Sequence, residues 1–501
     1  MNTTSPPQAP HLLPSPAEIQ NARTKLITKL PTTGIGEASI QQHIAQDIVP
    51  GLNHPSRSPH FYGFVTGGVT EAARLADHIA VDHDQNVQVH LPDETVCTHV
   101  EGAALRMVCD LLRLKQDKWP HQTFSTGATA SNVIGLACGR ESVVSKAAAS
   151  VGWKASVADD GVIDAMRKAE IDTIQILTTV PHSSLRKAAS IVGLGRSSIK
   201  DVGRSDAPHR FDLSALKFAI ERPRTASIIA VSCAEVNTGW FATDGEEMAQ
   251  LRALCDHHAA WLHVDAAFGL LARTLPTSDA SYTTLTSGVA GLELADSIAG
   301  DAHKLLNVPY DCGIFLSRHL STGTTVFQNT GAAYLAAAPG AVPSPLNIGI
   351  ENSRRFRALP VYATLSAYGR DGYREMLERQ IGLARKIAAF LTRSADYEVL
   401  NTGSDVGKPQ EDNIYIIVLF RALNPDLTAT LVRRINATRK IYVSGTQWKG
   451  QPAARFAVAS WMVQVERDFE VVKEVLEEVA KTGGSGGGGD GGNRSKEGHV
   501  A

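Results

Sequence analysis

Val96, Val100, Ala103, Met107, Leu111 and Leu114 recur at the spacing of one helix face, which predicts an amphipathic helix over this stretch. From about residue 120 to residue 320 the pattern changes, and short apolar runs alternate with helical patterns. The runs are Thr173–Leu177, Ser227–Ser232, Trp261–Val264, Asp296–Ala299 and Gly313–Leu316. Strands separated by helices predict an α/β architecture, a mostly parallel sheet covered on both faces. Ligands of such sheets sit at strand C-terminal ends. Upstream, residues 17–48 carry helical periodicity interrupted at Pro31 and Gly34–Gly36, and Pro50 to Gly68 reads as loop. Downstream, residues 353–395 read as a long helix with arginines near its start. Asn413–Phe420, Ile441–Val443, Arg455–Ala459 and a helix over Glu466–Lys481 then suit a smaller α+β domain. The expected division is a disordered 1–16, a helical and loop segment 17–95, a large domain 96–350, a small domain 351–481 and a Gly-rich flexible tail 482–501.

Composition narrows the partners. A net charge of -2 on 501 residues gives no reason to expect nucleic acid or an anionic membrane as the main partner. Cys97, Cys109, Cys138, Cys233, Cys255 and Cys312 form no CxxC pair, so they read as free thiols of a reducing compartment rather than a disulfide or metal framework. The polar, Pro-rich N-terminus lacks the basic and apolar regions of a signal peptide, and no apolar run approaches the ~20 residues of a membrane span. A cytoplasmic protein without a metal is the expectation.

The chemistry is concentrated in two short segments. Asp265 ends the apolar run of Trp261-Leu262-His263-Val264, and Asp301-Ala302-His303-Lys304 follows, with the lysine 39 residues after the aspartate. A lysine and an acid so placed are the layout of a pyridoxal phosphate (PLP) site, with a Schiff-base amine and a partner for the pyridinium nitrogen. Taken singly, Lys304 could be a surface lysine and Asp265 a helix cap. Ser125 to Asn132 precedes a helix pattern with small residues and hydroxyls, as a phosphate cradle or an ordinary capped turn does. His182 in Val180-Pro181-His182-Ser183-Ser184 follows a strand and could cover one face of a ring or simply sit in a loop.

Together these residues resemble the group II PLP-dependent amino acid decarboxylases, over roughly residues 50–470. The anchors are Ser58-Pro59-His60-Phe61-Tyr62-Gly63-Phe64, TGATASN, PHSS, HVDAAFG, DAHKLLNVPYDCG and Ser353-Arg354-Arg355-Phe356-Arg357. The resemblance implies the aspartate aminotransferase fold type I, a homodimer clasped by the N-terminal helical segment, and an L-amino acid substrate, with aromatic side chains among the candidates. It implies that Lys304 carries the Schiff base, Asp265 pairs with the ring nitrogen and His182 stacks on the ring. Ala130, Ser131 and His303 fall in the phosphate region, Asn237 and Thr238 near the ring hydroxyl, and Arg354 in the active-site region, near the substrate. Phe61, Tyr62 and Phe64 read equally as an aromatic-lined substrate pocket or as aromatic core packing. Tyr334, in a segment rich in Gly, Ala and Pro, matches the tyrosine of a mobile loop that returns a proton after CO₂ leaves. Asp301 stands where aromatic decarboxylases often carry Asn, Leu305 where they carry Trp, and Ser58-Pro59 where they carry His-Pro, which bears on the substrate more than on the reaction. Aldehyde synthesis, lyase or transaminase chemistry on the same fold, or a PLP-fold binding protein without activity, are the other readings.

Overall fold

The computed structural model describes residues 11–330, 343–402 and 411–483. Among the described residues there are twelve strands, in chain order β1 Phe61–Tyr62, β2 His121–Ser125, β3 Thr173–Thr178, β4 Ile199–Asp201, β5 Thr225–Ser232, β6 Trp261–Asp265, β7 Ser297–Asp301, β8 Gly313–Ser317, β9 Tyr397–Val399, β10 Ile417–Ala422, β11 Tyr442–Trp448 and β12 Gln451–Ala457. β2 to β8 form one sheet in the order β2-β8-β7-β6-β5-β3-β4. The pairs from β4 through β7 are parallel, as the alternation of strands and helices predicts. β8 departs from that pattern, running antiparallel to both β7 and β2. The loop of Asn307 to Cys312 returns the chain directly, without a crossover helix.

The sheet is buried on both faces. Ile176, Leu177, Ile228, Ile229, Leu262, Val264, Ile298 and Phe315 are fully buried. The helix Ala128–Ser150 crosses one face, packing on β5 through β8. The amphipathic helix predicted around Val96–Leu114 is Cys97–Leu111, and it packs against the long helix Ala358–Arg393 on the other side of the core. That long helix starts later than its periodicity suggests and breaks at Gly369, where φ 59 and ψ -170 suit a residue without a Cβ. Before it, the arginines of 354–357 lie outside the regular helix.

The smaller sheet has the order β1-β11-β12-β10-β9. Its edge strand β1 comes from the segment expected to be loop. Phe61 and Tyr62 pair in parallel with Tyr442 and Val443, so residues 61–62 join the smaller sheet. At the N-terminus the chain is organised from Leu12, which is buried, and Ser15 makes a capping box with Glu18 for the helix Pro16–Lys25. Order therefore begins before the boundary expected at residue 16. Among the described residues all six cysteines are unpaired and buried, no group of His, Cys, Asp or Glu is placed to hold a metal ion, and no helix is long and apolar enough to cross a membrane.

Candidate active site

Parallel strands that end together bring their last side chains together. Ser232 of β5 is in register with Asp265 of β6, and Asp265 with Ala299 of β7, two residues before Asp301. The short helix Ala302–Leu305 begins at once, so Lys304 stands one turn above the end of β7. These ends open into a cleft of about 360 Å³ that also receives the first turn of the helix Ala128–Ser150 and the loop around Glu235. The turn into that helix is tight: a Cβ on Gly313 would lie 2.5 Å from the backbone carbon of Gly127, so β8 and the turn approach as only glycine permits.

Lys304 Nζ lies 2.9 Å from Asp301 Oδ2, and Ala128 N–H donates to Asp301 Oδ1 at 2.5 Å. Asp301 thus links the lysine to the helix N-terminus. His303 Nε2 is 3.5 Å from the same carboxylate, and its Nδ1 accepts from Cys312 N–H at 3.3 Å. Burial is the main cause that holds His303 below the usual imidazole range. Asp265 lies half-buried at the base. Its Oδ2 accepts from Asn132 Nδ2 at 2.8 Å, and among the described residues no donor reaches its Oδ1. Burial pushes its carboxyl upward, opposed first by the Asn132 hydrogen bond and then by His182 and Lys304. His182 caps the helix Ser183–Ile191, its Nδ1 accepting from Ser184 N–H at 3.2 Å. Burial lowers its affinity for a proton against the pull of Asp265.

The cleft therefore gathers Lys304, Asp265, His182, His303 and Ala130. Other residues fall elsewhere. Ser131 turns away from the cleft, with its hydroxyl 2.8 Å from Ser125 Oγ, and Thr126 and Thr129 line the space instead. Asn237 and Thr238 stand behind Glu235, to whose carboxylate their backbone N–H groups donate at 3.0 and 2.9 Å. Glu235 itself lines the cleft. Phe61 is buried in β1 and stacked on Tyr442 at 4.5 Å between centroids, so it does not line the cleft. Phe64, 63% exposed and held in the left-handed region at φ 58, does. Tyr334 lies outside the described residues.

Arg354 is also placed away from the cleft. Its guanidinium is buried against Glu101 at 2.9 Å and donates to the carbonyls of Val87 and Phe124 at 3.2 and 2.9 Å. It joins the N-terminal segment, the helix Cys97–Leu111 and β2. Removing one partner of a buried ion pair costs about 3–5 kcal/mol. Arg354→Met is accordingly expected to lower stability by that order in chemical denaturation, with KM of the folded enzyme little changed. A variant of wild-type stability with a raised KM would restore Arg354 to the substrate.

Glu235, Phe268, Tyr310 and Ser184 also line the cleft; all but Glu235 lie inside the motif segments, which by themselves assign them no role. Tyr310 sits 4.5 Å from the His303 ring, centroid to centroid, and bonds Thr66 through its hydroxyl at 3.2 Å. The aromatic run near residue 61 signals only that some ring lies here, not which one.

A lysine, a half-buried acid and a helix N-terminus in one cleft fit a family assignment that spans most of the chain: residues 20–410 match the model of the pyridoxal-dependent decarboxylase conserved domain. The chain belongs to this family. Aromatic-L-amino-acid decarboxylase of Sus scrofa is 24% identical over 450 residues, covering 87% of this chain and 85% of that one. Among solved structures, the TDC of Oryza sativa with PLP and tryptamine superposes with a TM-score of 0.77 at 20% identity, covering 94% of this chain and 93% of that one. The 4-hydroxyphenylacetaldehyde synthase of Rhodiola rosea superposes with a TM-score of 0.74 at 20% identity, over 94% and 93%. The fold is that of the PLP decarboxylases, and the family's cofactor and carboxy-lyase chemistry come with membership. The residues present fit PLP: a lysine amine, a half-buried carboxylate whose second oxygen meets no donor among the described residues, and backbone N–H groups at the start of a 23-residue helix for an anion.

Proposed function

We propose that the protein decarboxylates an L-amino acid with an apolar or aromatic side chain, releasing the amine and CO₂. The reading rests above all on Lys304 and Asp265 sharing one cleft, the first as the amine that holds the cofactor, the second as the acid for its ring nitrogen. Bound PLP supplies the electron sink that takes up the pair left when the Cα–carboxylate bond breaks. The protein's part is positioning and proton handling. Thr126, Thr129 and the backbone at Ala130 would hold the phosphate at the helix N-terminus. His182 forms one wall, and burial disfavours the charged form of its imidazole there. Asp265 keeps the ring nitrogen protonated through a charge-assisted hydrogen bond. Phe64, Phe268 and Tyr310 offer the side chain an aromatic surface. Tyr334 returns a proton to Cα.

A panel of amino acids with separate detection of amine, CO₂, aldehyde and peroxide tests this reading. Amine and CO₂ in equal amounts, fastest with aromatic substrates, is the expected result. Aldehyde with peroxide and ammonia would overturn it in favour of oxidative deamination. Tyr334→Phe is expected to bind PLP and substrate as the wild type does while amine formation falls by roughly a hundredfold or more, the usual worth of a positioned acid. Amine at the wild-type rate would remove the tyrosine from the mechanism.

The active form is proposed to be a homodimer. Leu26, Ile27, Leu30, Ile35, Ile40 and Ile44 of the N-terminal segment are all exposed, an apolar surface that a second copy would cover. Sedimentation at assay concentration is expected to give a dimer, and a fully active monomer would refute it.

A further inference from the structure

Behind Asp265 runs a line of buried polar side chains drawn from three elements. Trp261 and His263 lie two residues apart on β6 and so share a face. Ser297 opens β7 in register with His263, and Asn132 lies in the second turn of the helix Ala128–Ser150. Trp261 Nε1 donates to Ser297 Oγ at 3.0 Å, Ser297 Oγ is 2.8 Å from His263 Nδ1, and His263 Nε2 is 2.9 Å from Asn132 Oδ1. Asn132 Nδ2 closes the line on Asp265 Oδ2 at 2.8 Å. Trp261, Ser297, His263 and Asn132 are all fully buried.

The donor inventory leaves one arrangement of protons. An indole nitrogen only donates, so Ser297 Oγ accepts there. A carboxylate only accepts, so Asn132 turns its NH₂ to Asp265 and its oxygen to His263. That oxygen needs a donor, which places the imidazole proton on Nε2. Burial lowers His263 to about 4, so the ring is neutral and its Nδ1 is bare to accept from Ser297. Each donor then points the same way, from Trp261 towards Asp265.

We propose that Asn132, His263 and Ser297 are positioning residues that hold Asp265 in its working rotamer and charge state, leaving Oδ1 to the cofactor. A chain of aligned hydrogen bonds polarises each member, so the final N–H meets the carboxylate as a stronger donor than an isolated amide would. Such help is needed, since burial alone works against the charged form and the Asn132 bond is the foremost cause opposing it. Space has been kept for the chain: a Cβ on Gly135 would lie 2.5 Å from His263 Cε1. Apolar side chains would fill this part of the core without the cost of burying polar groups. The inference rests on the reading of Asp265 as the ring-nitrogen partner.

The test combines two measurements. The first is ¹⁵N NMR of the imidazoles in cofactor-free wild-type protein, where His263 is expected to carry its proton on Nε2. A His263 ring protonated on Nδ1 overturns the proposal, whatever the variants do. The second binds PLP labelled with ¹⁵N in the ring to wild type, Ser297→Ala and His263→Phe. The ring nitrogen is expected to be protonated in the wild type and to shift towards the bare pyridine value in both variants. The dissociation constant for PLP should rise roughly tenfold, as when an outer-shell partner of a ligand is removed. A wild type that binds no PLP would overturn the reading of the site and this role with it. A wild type with a protonated ring nitrogen, and variants that match it in shift and affinity, would overturn the chain alone.

Discussion

Lys304→Ala is expected to yield a folded protein without the absorbance near ~420 nm of a lysine-bound pyridoxal, and with turnover reduced by roughly three orders of magnitude or more. The fold should survive because the lysine is partly exposed and sits in a short helix above β7, not in the sheet. Its loss also leaves Asp301 with the Ala128 N–H and His303 as neighbours, so the carboxylate is not stranded. Borohydride reduction followed by mass spectrometry gives the decisive reading. Wild type should gain the mass of a pyridoxyl group on Lys304, and the variant should gain nothing. A reducible adduct retained in Lys304→Ala would place the Schiff base on another amine and void the assignment.

Asp265→Ala is expected to lower kcat by roughly a hundred- to a thousandfold, the scale on which loss of one preorganised electrostatic group is felt. Without the carboxylate the ring nitrogen need not hold its proton, and the ring becomes a weaker acceptor of the electron pair. Stability should change less. The variant no longer buries a carboxylate, which favours it, while Asn132 loses an acceptor, at a cost of about 1–3 kcal/mol. Circular dichroism and a thermal melt report the fold, and kcat reports the chemistry. A folded variant with near-normal kcat would make Asp265 a structural residue. The two variants differ in what they abolish: Lys304→Ala removes the covalent hold on the cofactor, whereas Asp265→Ala should still give the ~420 nm band and fail at a later step.

Much of the architecture was legible along the chain because it depends on near neighbours. Apolar runs bounded by turns marked β3, β5, β6 and β7 to within a few residues, and their alternation with helices predicted the parallel sheet. Since β6 and β7 are parallel, residues at their C-terminal ends had to meet, so Asp265 and Lys304 were readable as partners before any coordinates. The direction of β8 was not readable, because a four-residue apolar run packs equally well either way and only pairing with β7 and β2 decides it. Nor was β1, whose two residues gain strand geometry only from a strand some 380 residues away.

Within the site, the tertiary structure decided which of several neighbours faces the cleft. Helical phase sends Ser131 to Ser125 and leaves Thr129 and Ala130 at the opening. The pairing of β1 buries Phe61, and the left-handed turn after it presents Phe64. Arg354 became a structural ion pair because Glu101, 253 residues away, lies against it, and a buried guanidinium takes its function from its partner. The line from Trp261 to Asp265 needs Asn132 from a helix more than 130 residues earlier. Local pattern determined the elements and the kind of chemistry, since both follow from residue type and short-range spacing. Side-chain direction, burial and hydrogen-bond partners were decided by the packed fold, because each is set by contacts between segments far apart in the chain.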